Sequence, residues 1–367
     1  MSGSGSLRCL RRRSLRYGTS GVVMAMFAAA LAAPAGADAR FQVVATVNVQ
    51  VNPFGDTTAP DGRTIWVANC GPPTGHIGTT GHTVTVLDAK TYAIRSVIDV
   101  GVFPEDIAFT HAGRQAFVTN STDATVSVIR TATRSVSQTI GLSGIPMTFP
   151  FGIIASRDSR KVFVTSVGGA SPASIAVLDD THPARVRIGG TITLPAFTGR
   201  PALTPGGRLL VVPRGRTEYG SPPEATLISA STSRVVADLR LTGPGATQAA
   251  TVTPDGRFAY VSIFGGVLGG NGGVWVIDLA RRSTVAVIRT PDPEVFGVNA
   301  SPDGRFVFAT GFSLGEVSVI AVATNRIVAS IAVGSQPNEV AFTRDGSKAF
   351  VTNQGDTTVS VVAIPTR

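Results

Sequence analysis

The chain has 367 residues, 43% of them hydrophobic, with two cysteines and a formal net charge of +9. Such a length and apolar share can fill a sizeable core. Much of that excess sits in the first 39 residues, and the mild remainder does not suggest a nucleic-acid binder, whose basic residues would be expected to cluster on one face or helix.

Residues 1–39 read as an export signal, with a single domain over 40–367. Arg8, Arg11, Arg12, Arg13 and Arg16 give a basic start, and Gly21 to Ala33 is an apolar run of 13 residues. That run is shorter than the roughly 20 residues a membrane-spanning helix needs. Ala37-Asp38-Ala39 offers a small-x-small cleavage point near Ala39. The sequence therefore predicts a product that is periplasmic, secreted or held at the cell surface. Arg12-Arg13 also fits a twin-arginine route, although a plain basic start is the simpler explanation. Five of the 32 basic residues and one of the 23 acids lie in this segment, leaving 27 against 22, a net +5. Cys9 goes with the signal, and Cys70 alone cannot form an internal disulfide.

After the signal comes a lone alternating segment, Val43 to Pro53, and then a repeat. The turn "PDGR" recurs with its glycine slot at Gly62, Gly113, Ser159, Gly207, Gly256, Gly304 and Gly346, 42 to 51 residues apart. Each unit carries four short stretches with a period of two, bounded by Gly, Pro, Asp and Asn, which predicts four strands joined by turns. Unit two contains "AFVTNSTDATVSVI" (Ala116 to Ile129), and unit seven repeats it as "AFVTNQGDTTVSVV" (Ala349 to Val362). Seven four-stranded units predict an all-β, seven-bladed β-propeller of antiparallel blades. Unit seven ends one strand short. Val43–Pro53 aligns without a gap on Ile327–Pro337, the last strand of unit six, so the N-terminal strand is expected to complete the last blade and cover its edge.

The segments "AFVTN", "AYVSI" and "IWVAN", each followed by a "TVSVI"-type stretch and a "PDGR" turn, make the chain resemble the YVTN-type seven-bladed propeller repeat family. Units three and four depart from the pattern ("KVFVTSVGG", "LLVVPRG"). The resemblance implies an exported or surface-layer protein, related in fold to lactonase-type and electron-transfer propellers. It fixes no substrate.

Loops after the second strand are long in units one (Cys70 to His82), three (Val167 to Ala173), four (Arg214 to Glu224) and five (Phe264 to Gly272). They would wall one side of the axial opening, or they reflect drift in tolerant surface loops. Residues just after the fourth strand enter the axial mouth. One column reads Phe54, Glu105, Phe151, Gly199, Gln248, Phe296, Asn338, and the next reads Gly55, Asp106, Gly152, Arg200, Ala249, Gly297, Glu339. Phe54, Glu105, Asp106, Phe151, Arg200, Gln248, Phe296, Asn338 and Glu339 are the ligand-binding candidates, because charges crowded near a narrow axis are costly unless used or paired. The alternative packs the aromatics between blades and pairs or solvates the charges.

Cys70, His76 and His82 share a Gly-rich loop and carry metal-ligating atoms. Their five-residue gaps match no standard ligand spacing, so no metal and no other cofactor is assigned. Arg63, Arg114, Arg160, Arg208, Arg257 and Arg305 follow the turn glycines on the face opposite the long loops. They are expected to be solvated and partly neutralised by Asp61, Asp255, Asp303 and Asp345, with binding of an acidic polymer as the other reading. "GFSLG" (Gly311 to Gly315) mimics a hydrolase elbow but falls in a hairpin with no histidine after it.

Two functions follow. The preferred one is an exported, monomeric, non-catalytic scaffold that binds a glycan, peptide or protein of the cell envelope on its long-loop face. The alternative is a lactonase- or lyase-type enzyme with Glu105, Asp106 or Glu339 as acid or base.

Overall fold

The computed structural model describes residues 41–71, 81–147, 149–167, 173–182, 184–196, 198–215, 223–241, 245–265 and 272–365. Among these, every regular element is a strand, and no helix is long and apolar enough to cross a membrane. Twenty-eight strands form seven separate four-stranded antiparallel sheets arranged as a propeller.

Blade 1 is β2 (Pro53–Thr58), β3 (Thr64–Asn69), β4 (Thr83–Asp88) and β5 (Ile94–Asp99). Blade 2 is β6 (Pro104–Phe109), β7 (Gln115–Asn120), β8 (Thr125–Arg130) and β9 (Ser135–Gly141). Blade 3 is β10 (Phe149–Ala155), β11 (Lys161–Val167), β12 (Ala173–Asp179) and β13 (Arg187–Leu194). Blade 4 is β14 (Ala202–Leu203), β15 (Leu209–Arg214), β16 (Glu224–Ser229) and β17 (Arg234–Arg240). Blade 5 is β18 (Ala246–Val252), β19 (Phe258–Phe264), β20 (Gly273–Asp278) and β21 (Ser283–Ile288). Blade 6 is β22 (Val295–Ala300), β23 (Phe306–Gly311), β24 (Glu316–Ala321) and β25 (Arg326–Ala332). Blade 7 is β26 (Pro337–Phe342), β27 (Lys348–Asn353), β28 (Thr358–Ala363) and, from the other end of the chain, β1 (Gln42–Asn48).

The strand borrowed from the N-terminus sits where the alignment placed it. β1 pairs antiparallel with β28 from Gln42↔Ala363 to Asn48↔Thr358. Its register slips at Val44, the residue aligned with Val328, where β25 slips against β24. The two strands thus share a bulge as well as a sequence pattern. Phe41, just before β1, packs edge-on against Phe306 and Phe308 of blade 6 at 5.2 and 6.0 Å.

The repeated motif has a physical reason at each position. The turn slots all lie at positive φ, from +57° at Ser159 to +73° at Gly256, where a side chain is strained. One residue earlier, Asp61, Asp158, Asp255, Asp303 and Asp345 each accept the backbone N–H two residues on, at 2.9 to 3.1 Å. In "VTN", the buried Asn120 donates to Thr125 and Ser127 at 2.9 and 3.0 Å, and Asn353 does the same to Thr358 and Ser360. The Thr before it joins blades. Thr119 Oγ1 accepts the Asp106 N–H at 3.1 Å and donates to the Phe151 carbonyl of the next blade at 2.7 Å. Thr165, Ser262, Thr310 and Thr352 donate in the same way to Gly199, Phe296, Asn338 and Phe54.

Blades 1 and 4 lack this hydroxyl, having Ala68 and Pro213 in its place. In blade 4 the backbone takes over: Gly199 N–H bonds the Pro213 carbonyl at 2.9 Å and Arg200 N–H bonds the Gln248 carbonyl of blade 5 at 2.8 Å. Arg214, in the Asn slot, donates to Thr226 at 2.8 Å and pairs with Glu224 and Asp238. The departure of unit four from the repeat is thereby compensated, and it fixes the backbone of Arg200 against blade 5.

Candidate functional site

The innermost strands β2, β6, β10, β18, β22 and β26, together with the segment leading into β14, surround the axis. They run from the long-loop face to the turn face, so consecutive residues descend through the channel in layers. The first layer holds Phe54, Glu105, Phe151, Gln248, Phe296 and Asn338. Phe54 and Phe151 meet edge-to-face at 6.2 Å and pack with Cys70, Phe103 and Val167. Phe296 turns instead toward Phe264 and Phe312, at 5.1 and 4.8 Å.

Below the aromatics lies Arg200, 5% exposed. Its guanidinium carbon is 4.9 Å from the centre of each of the Phe54 and Phe151 rings. Nη1 pairs with Glu339 Oε2 at 2.9 Å and donates to Asn338 Oδ1 at 3.2 Å, while Nε faces Asp106 Oδ2 at 4.0 Å. Nε and Nη2 have no hydrogen-bond partner among the described residues. Asp106 is held tightly: Oδ1 accepts the Ile107 N–H and Oδ2 the Ile153 N–H of blade 3, both at 2.9 Å. Glu339 Oε1 accepts the Val340 N–H at 3.2 Å.

A further acid joins them that the sequence columns did not single out. Asp56 pairs in register with Val67, as Ile107 pairs with Val118, Val298 with Ala309 and Val340 with Val351. Equivalent slots thus hold aliphatic side chains, and blade 1 alone among these has a carboxylate. Among the described residues neither oxygen of Asp56 makes a well-formed hydrogen bond, and the Ala341 backbone amide opposes the effect of its burial.

Burial dominates the electrostatics of this layer. It pushes the Asp56 carboxyl well above the usual range, with Glu339 adding and Arg200 opposing. Burial likewise raises Glu105 to about 7 against its bond to Ser121, and Glu339 to about 7 against the pull of Arg200. Asp106 is raised for the same reason. One guanidinium cannot balance four buried carboxyls, so some remain protonated near neutrality.

A pH dependence follows. Folded, Glu105 and Glu339 keep their protons up to about pH 7, whereas the unfolded chain releases them near 4.5. Unfolding then releases protons, and stability falls as pH rises from about 4.5 to 7, by up to about 1.4 kcal/mol per pH unit per group. The surface aspartates held low, such as Asp88 bonded to Arg95 and Asp179 bonded to Thr181, act in the opposite sense only below about pH 4. Urea midpoints taken at pH 5 and pH 8 check this: the higher midpoint is expected at pH 5, and Glu105→Gln with Glu339→Gln should flatten the difference.

Beneath the charged layer a cavity of about 770 Å³ opens, lined at its floor by Asp56, Asp106, Arg200 and Glu339 and at its rim by Pro60, His111 and Arg344. Its wall residues come from the ends of the innermost strands and the turns that follow. The cavity therefore opens on the turn face, not on the long-loop face where the sequence placed the site. The reason is the aromatic column, which packs Phe54 and Phe151 on the long-loop side of Arg200. Of the nine sequence candidates, Asp106, Arg200 and Glu339 reach the cavity. Phe54, Phe151 and Asn338 hold Arg200 from behind, the Gln248 carbonyl holds its backbone, and Glu105 and Phe296 lie off the cavity. The long loops fall largely outside the described residues.

Cys70 and His82 do not face a common point. The Cys70 thiol is fully buried, donates to the Pro104 carbonyl at 2.7 Å and is pushed up by burial. His82 is exposed and 3.8 Å from Asp99. His76 lies outside the described residues, and among those described no group of three could hold a metal ion.

No family model matches the chain, and no curated protein matches it. Among solved structures it is similar to hydrazine synthase of Kuenenia stuttgartiensis, with a TM-score of 0.75 and 21% identity over 87% of this chain and 98% of that one. At that identity the likeness shows the propeller fold alone.

Proposed function

We propose that this chain is an exported propeller of the YVTN type, with residues 1–39 as its signal, and that it binds a small ligand of its envelope surroundings in the axial cavity. One observation carries the reading: Asp106, Arg200 and Glu339, all buried, converge on the floor of the cavity. Charged groups crowded out of water are costly unless used or paired, and a ligand that meets their exposed edges recovers part of that cost. The cavity lies within the size range of small-molecule sites. The "VTN" and "PDGR" roles described above support the repeat type, and the basic-apolar-small pattern of the first 39 residues supports export.

The second reading is an enzyme of lactonase or lyase type, favoured by Glu339, an acid raised to about 7 at the floor of a cavity. Asp106 is a poorer acid or base, because both its oxygens accept backbone amides.

A thermal-shift panel of sugars, short peptides, lactones, amines and polyanions tests the cavity. A true ligand at 100 times its dissociation constant adds about 2.7 kcal/mol. That shift should vanish in Ala155→Trp, which places an indole in the wall near the mouth. A binder indifferent to Ala155→Trp removes the cavity from consideration. Lactone turnover that is lost in Glu339→Gln with binding retained selects the enzyme.

A further inference from the structure

Resting on the cavity reading, the chemistry of the floor and walls narrows the ligand class. Three carboxyls, Asp56, Asp106 and Glu339, face one guanidinium, and a fourth, Glu105, lies close enough to interact with Asp106 and Arg200. The rim adds only His111 and Arg344, which are exposed and screened by solvent. Above the floor the wall mixes apolar side chains such as Ile154 and Leu203 with the polar Thr57, Thr58, Thr251 and Asn299. Asp106 and Glu339 keep 13% and 9% of their side-chain surface exposed, so each presents an edge to the cavity. Asp56 stands one residue further along, a lone acid in a slot that holds Ile107, Val298 and Val340 in other blades.

We propose that the cavity takes an organic cation, an alkylammonium in the simplest case, with its head against Asp106 and Glu339 and its chain directed toward the mouth. An anion would meet the carboxyl surplus. A neutral polyol would bring the carboxyl surplus no counter-charge. A divalent ion needs several free oxygens at once. Here Glu339 is committed to Arg200 and the Val340 amide, and Asp106 to two backbone amides. A positive head beside this layer lowers the energy of the ionised carboxyls, so its binding should expel protons at pH 7.

Isothermal titration of the full propeller with n-hexylamine, 1-hexanol and hexanoate tests the class. Hexylamine should bind at least about tenfold more tightly than either, a difference of about 1.4 kcal/mol. Runs in two buffers of different ionisation heat should show proton release on amine binding. Asp56→Asn should weaken the amine and reduce the protons released, while leaving hexanol unchanged. Equal binding of hexanol, an unchanged amine affinity in Asp56→Asn, or no amine binding at millimolar concentration each overturns the cation. Ala155→Trp separates the two failures. A neutral or anionic ligand that it blocks leaves the cavity standing without the cation, and amine binding that survives it removes both.

Discussion

Replacing Arg200 with methionine should lower the melting temperature by about 5 °C at pH 8, from a loss of roughly 3–5 kcal/mol, and by much less at pH 5. The arginine holds two partners of opposite character. On one side its guanidinium lies against Phe54 and Phe151, and on the other it pairs with Glu339 and reaches Asp106. Methionine fills the space beside the rings but leaves the carboxyls with no buried counter-charge. Removing one partner of a buried pair is worse than removing both, because the desolvation of the survivor is no longer offset. At pH 5 the orphaned carboxyls are protonated and the loss shrinks. Adding Glu339→Gln to Arg200→Met should recover stability at pH 8 for the same reason. Arg200→Lys should not rescue, since a compact ammonium cannot lie flat between two rings while reaching Glu339 and Asn338. An equal melting shift at both pH values would mean that packing, and not charge, sets the role of Arg200.

Repeats encode the frame because each motif residue performs a local task that recurs: a positive-φ turn at Gly62 and its equivalents, an Asn120 that binds the following "TVSV" strand, and a Thr119 that crosses to the next blade. The axial columns brought Asp106, Arg200 and Glu339 together for the same reason, since equivalent positions in a repeat share a layer. Asp56 escaped because it stands one place further on, where its counterparts are Ile107, Ile153, Val298 and Val340. A single acid in an aliphatic column was there to be read. The face was not legible. Whether the charged layer opens toward the loops or the turns depends on how Phe54 and Phe151 pack against Cys70, and that packing has no periodic signature. Arg214 shows the complementary limit: unit four departs from the motif in sequence, yet the Arg214 guanidinium replaces the Asn bonds through Thr226, Glu224 and Asp238.

Removing the borrowed strand is expected to have the largest effect of all. A chain beginning at Gln50 loses the whole of β1, six residue pairs to β28 and the Phe41 contacts with Phe306 and Phe308. Truncation of a buried Phe alone costs about 3–5 kcal/mol, a large part of the 5–15 kcal/mol that a typical domain has to lose. The outer edge of β28 is then bare, with the buried Val359 and Val361 beside it and unpaired N–H and C=O groups ready to bind another chain. Such a chain should associate on size-exclusion chromatography and lose its cooperative urea transition. Two companions locate the cause. Phe41→Ala should remain monomeric with a lowered midpoint, because the strand still covers the edge. Val44→Thr, at the half-exposed bulge, should behave as wild type. A synthetic peptide spanning residues 41–50, added in excess, should restore the transition in a concentration-dependent way, since it binds the folded form alone. A truncated chain with an unchanged midpoint would show that three strands suffice for blade 7, and the closure of the ring would then rest on the blade 6 to blade 7 and blade 7 to blade 1 contacts, such as the Thr352 bond to the Phe54 carbonyl.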